Sequence, residues 1–387
     1  MNAPIVIIGS GLAAYSTLRE FRKLNTEQEV VVITQESGDF YSKPMLSTAF
    51  ANKKNAEQLI TTPKEKMIDQ LHYELFANAQ VESIDPKTNM LHFVQQGKSF
   101  DIHFSKLVLA IGADPVRLPI SGSGAQDMLS INDLQDYATF REKLKNNDRV
   151  AIIGAGLIGC EFANDLSIGG HAVEVIDISP TPLGRLLPPE LASALQSKLS
   201  NLGVMWHLGT SSTSIDTSSK GTYQIHLAND EMIEVDIVLS AVGLRPRTEL
   251  AKKIGVNTNR GIVVNRRLES STKNIFAIGD CAEVDGHVLP YVMPIMNAAK
   301  ILAANLLGDE KTLTYPAMPV MVKTPALPLI ISPPAQGAKG AWHIETIEDG
   351  LIGKFIGTNN DLLGFALAGS GTKERASLTP LLPAILA

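Results

Sequence analysis

The sequence predicts an α/β protein: two parallel-sheet units built to one plan, followed by a small α+β module at the C-terminal end. Three observations predict it. A β-branched run near the N-terminus ends in a glycine-rich turn, the same arrangement returns in mid-chain, and beyond residue 315 the composition shifts to prolines and short alternating segments. With 387 residues and 44% hydrophobic content the chain exceeds one small core, so two or three domains are expected.

The first unit opens with Ile5-Val6-Ile7-Ile8, a short strand, and Gly9-Ser10-Gly11-Leu12-Ala13-Ala14 follows at once as a G-x-G-x-x-A turn. Ala14, Leu18 and Phe21 then recur at helical spacing, and Val30 to Ile33 is a second strand. In such a βαβ unit Gly9 permits the tight turn, Gly11 lets the backbone approach a pyrophosphate, and a small residue at 14 lets helix pack on strand. The phosphates meet the free N–H groups of the helix. Glu36, just past the second strand, stands where a carboxylate accepts hydrogen bonds from ribose hydroxyls.

The second unit repeats this at Val150 to Gly159, with glycines at Gly154, Gly156 and Gly159 and a second strand at Ala172 to Ile176 ending in Asp177. One such turn is weak evidence of a nucleotide site. Two copies, each strand-led and each followed by an acid, are strong. The runs Leu107 to Gly112 and Ile237 to Gly243 extend the repeat, each with a proline three residues past its glycine, at Pro115 and Pro246. Asn274-Ile275-Phe276-Ala277-Ile278-Gly279-Asp280 is a further strand ending in Gly-Asp. By itself it reads equally well as a strand followed by an Asp N-cap.

Bulk properties exclude several function classes. A net charge of -6 and a pI near 5.8 oppose wholesale attraction to nucleic acid or anionic membrane. The apolar start, Pro4 to Ala14, lacks a basic flank and is broken by Gly9 and Gly11, so it reads as strand and turn and not as a signal segment. No run approaches the ~18 apolar residues of a membrane span, and a cytoplasmic enzyme is expected. Cys160 and Cys281 are the only cysteines, too few and too far apart for a disulfide framework or a metal site, and both read as small buried apolar residues.

Over residues 4–310 these motifs resemble the two-dinucleotide-domain flavoproteins, the family of glutathione reductase, lipoamide dehydrogenase and the NADH-dependent ferredoxin reductases. The resemblance implies two Rossmann-like domains: an FAD-binding domain, 1–113 and 244–315; an inserted NAD-binding domain, 114–243; and a C-terminal α+β domain, 316–387. It places FAD on Gly9, Ser10, Gly11, Leu12, Ala13, Ala14, Thr34, Gln35, Glu36, Ala110, Gly112 and Asp280, and NAD on Gly154, Gly156, Gly159 and Asp177. Val81 matches a residue whose backbone meets the adenine, and Val292 a helix start facing the flavin O2. Asp177, an acid at the strand end, favours ribose hydroxyls over a 2′-phosphate and so NADH over NADPH.

Phe40 to Ser47 occupies the segment where the family's disulfide reductases carry C-x-x-x-x-C, and it holds no cysteine, so disulfide substrates are excluded. The family pairs a lysine or arginine of this segment, near flavin N5, with a glutamate on the second unit's helix. Lys43 and Glu161 are the matching catalytic pair. Arg117 corresponds to a flavin-contacting arginine with an offset of one residue.

Six prolines crowd positions 316–334, and alternating segments follow at Val320 to Val322, Leu329 to Ile331, Trp342 to Ile347, Leu351 to Ile356 and Leu362 to Leu367. A small antiparallel sheet is expected. Tyr315 to Pro325 through Pro334 resembles the C-terminal domain of bacterial rubredoxin reductases, which implies that Lys323 lies near the flavin and that rubredoxin is the partner. NADH delivers two electrons as a hydride and a rubredoxin iron takes one, so FAD must bridge the two; the resemblance further implies that the electrons feed an alkane hydroxylase indirectly. Docking is expected to use basic residues, with Lys53 and Lys54 as candidates, and to weaken with salt. Alternatives are a reductase of ferredoxin or of a flavorubredoxin and, outside enzymes, an NADH-binding redox sensor.

Overall fold

The computed structural model describes residues 3–145 and 148–387. In the first unit the strand Ile5–Ile8 is central in a five-stranded parallel sheet, ordered Ile275–Ala277, Lys106–Leu109, Ile5–Ile8, Val30–Ile33, Glu74–Phe76. All side chains of Ile5–Ile8 and Val30–Ile33 are buried, which is why these strands read as unbroken apolar runs. Helix α1, Leu12–Leu24, contributes Tyr15, Leu18 and Phe21 to the core, and an antiparallel sheet of Ala79–Asp85, Met90–Gln95 and Lys98–His103 contributes Ile84, Leu91 and Phe93.

The second unit repeats the plan with four parallel strands, ordered Met205–Leu208, Ala172–Asp177, Arg149–Ile153, Ile237–Ser240. Its helix α2 is Leu157–Ile168, and its antiparallel sheet is Ser212–Thr217, Tyr223–Leu227 and Met232–Val235. The chain enters and leaves this unit through two short strands, Ala113–Pro115 and Leu244–Pro246, paired antiparallel. Back in the first unit, helix α3, Val292–Asn305, lies along α1.

The C-terminal module is the five-stranded antiparallel sheet that alternation predicted, ordered Val320–Val322, Leu329–Ser332, Leu362–Gly369, Gly350–Gly357, Gly340–Ile347. The last residues return to the first unit, where Leu386 pairs with Tyr315 and is buried in its core.

Core membership does not follow chain order. Tyr41, Leu46, Phe50 and Leu59 pack with Val150, Ile152 and Phe162 of the second unit and with Val322, Leu329, Ile331 and Ala366 of the C-terminal sheet. Three chain segments thus share one apolar core, and their boundary is where polar side chains meet.

Candidate active site

Each unit presents a phosphate cradle at the carboxyl end of its sheet. Gly9 has φ +116 and Gly154 φ +112, left-handed backbone that disfavours other residues. A Cβ on Gly9 would strike the Ala110 carbonyl oxygen; one on Gly154 would lie 2.6 Å from that of Ala241. Gly11 and Gly156, the residues preceding α1 and α2, face open space, with nothing within 4 Å of an added Cβ. Neither helix start has a side-chain cap, so its first N–H groups are free for an anion. This donor set fits a dinucleotide pyrophosphate in each unit.

The remaining first-unit residues gather around that turn. Ser10 Oγ lies 2.9 Å from Thr34 Oγ1, tying the turn to the end of the second strand. Leu12, Ala13 and Ala14 form the first turn of α1, and Gly279 packs against it so closely that a Cβ there would be 2.7 Å from that of Ala13. Ala110 donates its N–H to Ile8 O at 2.9 Å, and Gly112 turns the chain with φ +70. A hollow of about 380 Å³ opens beside Gln35, Ala79, Gln80 and Glu82, next to Val81.

Backbone hydrogen bonds set the two units in register and show that their acids are not equivalent. Gly9 N donates to Ile33 O as Gly154 N does to Ile176 O, both at 2.8 Å. Ala79 N donates to Thr34 O and Thr210 N to Asp177 O; Asn78 N donates to Glu36 O and Gly209 N to Ser179 O. Asp177 therefore corresponds to Thr34, and Glu36 to Ser179. The Asp177 carboxylate accepts from Ala155 N at 2.5 Å and Ser179 N at 2.7 Å, bracing the glycine turn, whereas the Glu36 carboxylate accepts from the Tyr41 hydroxyl, at 3.0 Å, and from no other donor among the described residues.

The junction of the three segments lies along one edge of α2. Glu161 is 5% exposed and does not meet Lys43. Its Oε1 accepts from the Lys323 backbone N at 2.9 Å, and its Oε2 accepts from Lys323 Nζ and, at 2.5 Å, from Ser47 Oγ. The Lys43–Glu161 pairing expected from the sequence is thus corrected: a buried carboxylate takes the donors nearest in space, and the lysine comes from the C-terminal module. Lys43 is half-buried at the start of the 3₁₀ helix Lys43–Thr48, and its charge acts on the Asp280 and Asp136 carboxyls without an ion pair to either among the described residues.

Burial pushes the Asp280 carboxyl up, the Lys43 charge opposing it, and no hydrogen bond to that carboxyl is found among the described residues. It is a free acceptor beside the Gly279 turn. Val292 is the first residue of α3, whose Tyr291 N-cap adds no side-chain hydrogen bond. Arg117 is exposed and carries no ion pair among the described residues. Lys53 and Lys54 are exposed.

Two further α2 residues were missed from the sequence. Asn164 Oδ1 accepts from Ala326 N at 3.1 Å, and Asp165 accepts from Phe50 N at 2.8 Å and Ala51 N at 3.2 Å. Burial raises Asp165 to about 6, with the backbone N–H groups and Arg141 opposing. The signal was available: Glu161, Asn164 and Asp165 stand at one-turn spacing on a mostly apolar helix.

Neither thiol can relay electrons. Cys160 and Cys281 are free and fully buried; burial pushes the Cys160 thiol far up and that of Cys281 up to about 11. Among the described residues no group of three or more candidate metal ligands occurs, and no helix is long and apolar enough to cross a membrane.

Comparison with known proteins agrees with this geometry. Residues 3–301 match the family model described as pyridine nucleotide-disulphide oxidoreductase. The chain belongs to that family. Family membership brings FAD and a nicotinamide nucleotide, although the disulphide of the family's title has no counterpart at Phe40–Ser47. Residues 312–382 match a rubredoxin binding C-terminal domain. A rubredoxin-NAD(+) reductase of Acinetobacter baylyi is 47% identical over 99% of this chain and 98% of its own length. A nitric oxide reductase FlRd-NAD(+) reductase of Citrobacter koseri is 37% identical over 99% of this chain and all of its own. The crystal structure of a ferredoxin reductase from Rhodopseudomonas palustris, 26% identical, superposes with TM-score 0.88 over 100% of this chain and 96% of that one.

Proposed function

We propose that this chain is an NADH:rubredoxin reductase, with FAD in the first unit and NADH in the second. One observation carries the reading: the helix that begins at the second unit's phosphate cradle runs directly, through Glu161, to Lys323 of the segment matched to rubredoxin binding, and its one thiol, Cys160, is fully buried.

FAD, when bound, supplies the capacity to take a hydride and release single electrons. The chain's own residues do the rest. Gly9 to Ala14 and the start of α1 hold the FAD phosphates, and Glu36 accepts from the ribose, with Thr34, Gln35, Val81, Ala110 and Gly112 shaping the adenosine end and the turn beside it. Asp280 accepts from the ribityl hydroxyls. The start of α3 at Val292 turns N–H groups toward developing negative charge. Gly154, Gly156, Gly159 and Asp177 hold NADH; Lys43 and Lys323 supply positive charge.

The test is stopped-flow reduction of purified, FAD-loaded protein by NADH, followed by oxidation with rubredoxin, ferredoxin or glutathione disulfide. Rubredoxin should reoxidise the flavin fastest and glutathione disulfide not at all; rapid reaction with the disulfide would refute the reading. A cytoplasmic location and a supply of electrons to an alkane hydroxylase are part of this proposal. The full-length likeness to the Citrobacter koseri protein supports a second reading, in which the acceptor is the rubredoxin domain of a flavorubredoxin.

A further inference from the structure

We propose that Ser47 is a positioning residue of the hydride-transfer site: it fixes the Glu161 carboxylate, which in turn holds the Lys323 ammonium against the flavin. The inference deepens the reductase reading and rests on it.

Ser47 is 5% exposed and has one hydroxyl proton to give. Glu161 Oε2 lies at 2.5 Å and the alternative acceptor, Pro44 O, at 3.3 Å, so the proton goes to Glu161. Lys323 grips the same carboxylate twice, by its backbone N on Oε1 and its ammonium on Oε2. One ammonium N–H is thereby spent, and the others find no second acceptor among the described residues. The Lys323 side chain is 27% exposed, so its remaining donors have access to a ligand. Without Ser47, Glu161 keeps Lys323 as its only partner and can swing with it.

The fold does not require this arrangement. In the first unit the residue equivalent to Glu161 is Ser16, which donates to the Met296 sulfur of α3 with no charge involved. A charged, triply bonded residue at the same helical position in the second unit is therefore an addition to the shared plan. Nor does Ser47 alone attach its segment, because Asp165 independently binds Phe50 N and Ala51 N. Loss of the Ser47 hydroxyl should be felt at the site without releasing the segment.

The experiment compares Ser47→Ala and Ser47→Thr, each alone and in a Glu161→Gln background, in FAD-loaded protein. Ser47→Ala should slow flavin reduction by NADH roughly tenfold, the lower end of what one hydrogen bond to a charged group is worth. It should also make the flavin midpoint potential more negative, since a loosened ammonium stabilises added negative charge less. NADH affinity should stay within about twofold, because the cradle is untouched. Ser47→Thr should restore rate and potential. In the Glu161→Gln background Ser47→Ala should add nothing, since a residue acting through another is silent once that other is gone. An equal loss in both backgrounds, an unchanged potential, or a change confined to melting temperature overturns the proposal. Failure of NADH to reduce the wild-type flavin would overturn the reductase reading itself, which these variants leave intact.

Discussion

The two nucleotide units share a backbone register down to individual hydrogen bonds, yet they differ in what surrounds them. In the first unit α1 faces another helix of the same unit. In the second unit α2 carries Glu161, Asn164 and Asp165, and each binds a segment from elsewhere in the chain. The first holder helix is packed within its own unit. The second is bolted to the flavin-side segment and to the C-terminal sheet, as electron flow from one nucleotide toward an outside acceptor requires. The carboxylates differ in the same sense: Glu36 stays open to a ligand, whereas Asp177 also braces its own turn.

Glycine substitutions should separate the two holders with the largest effects. Gly9→Val should yield protein purified without yellow colour, while Gly154→Val should keep its flavin and lose NADH reduction by roughly 100-fold, from strain of about 1–3 kcal/mol plus a backbone collision. If either variant lost both functions, the units would not be independent.

Next in size is the Lys323 pair. Lys323→Ala strands a buried carboxylate and should cost about 3 kcal/mol in urea unfolding, against about 1 kcal/mol or less for Lys43→Ala. A reversed order would restore the pairing that the sequence implied.

Asp165 gives a smaller effect with a defined pH window. Burial raises it from 3.8 to about 6, so the folded chain retains a proton that the unfolded chain releases over that range. Stability therefore falls as pH rises from about 4 to about 6 and stays lowered above, by about 1–2 kcal/mol once partial solvent access is allowed for. In Asp165→Asn the urea midpoint should lose this component of its pH dependence; an unaltered profile would show that the group titrates normally.

The smallest effect concerns nucleotide choice. Asp177→Arg should raise the NADPH-to-NADH rate ratio by about tenfold, less than removal of a free ribose acceptor would, because Asp177 also holds Ala155 and Ser179. An unchanged ratio would leave Asp177 a purely structural brace.

Local pattern made the cradles legible. Gly9 and Gly154 stand where backbone sterics admit little else, the buried strands read as unbroken apolar runs, and the C-terminal strand Gly340–Ile347 reads by alternation. These features depend on residues a few positions apart, so the sequence by itself determined the two α/β units, the antiparallel module and the positions of both phosphate turns. Only the tertiary structure decided which charges meet. Lys323 is 162 residues from Glu161 and Ser47 is 114, and no periodicity links them. A buried carboxylate is satisfied by whichever donors the packed core delivers to it, so Glu161 took Lys323 and Ser47, and Lys43 was left out of the pair.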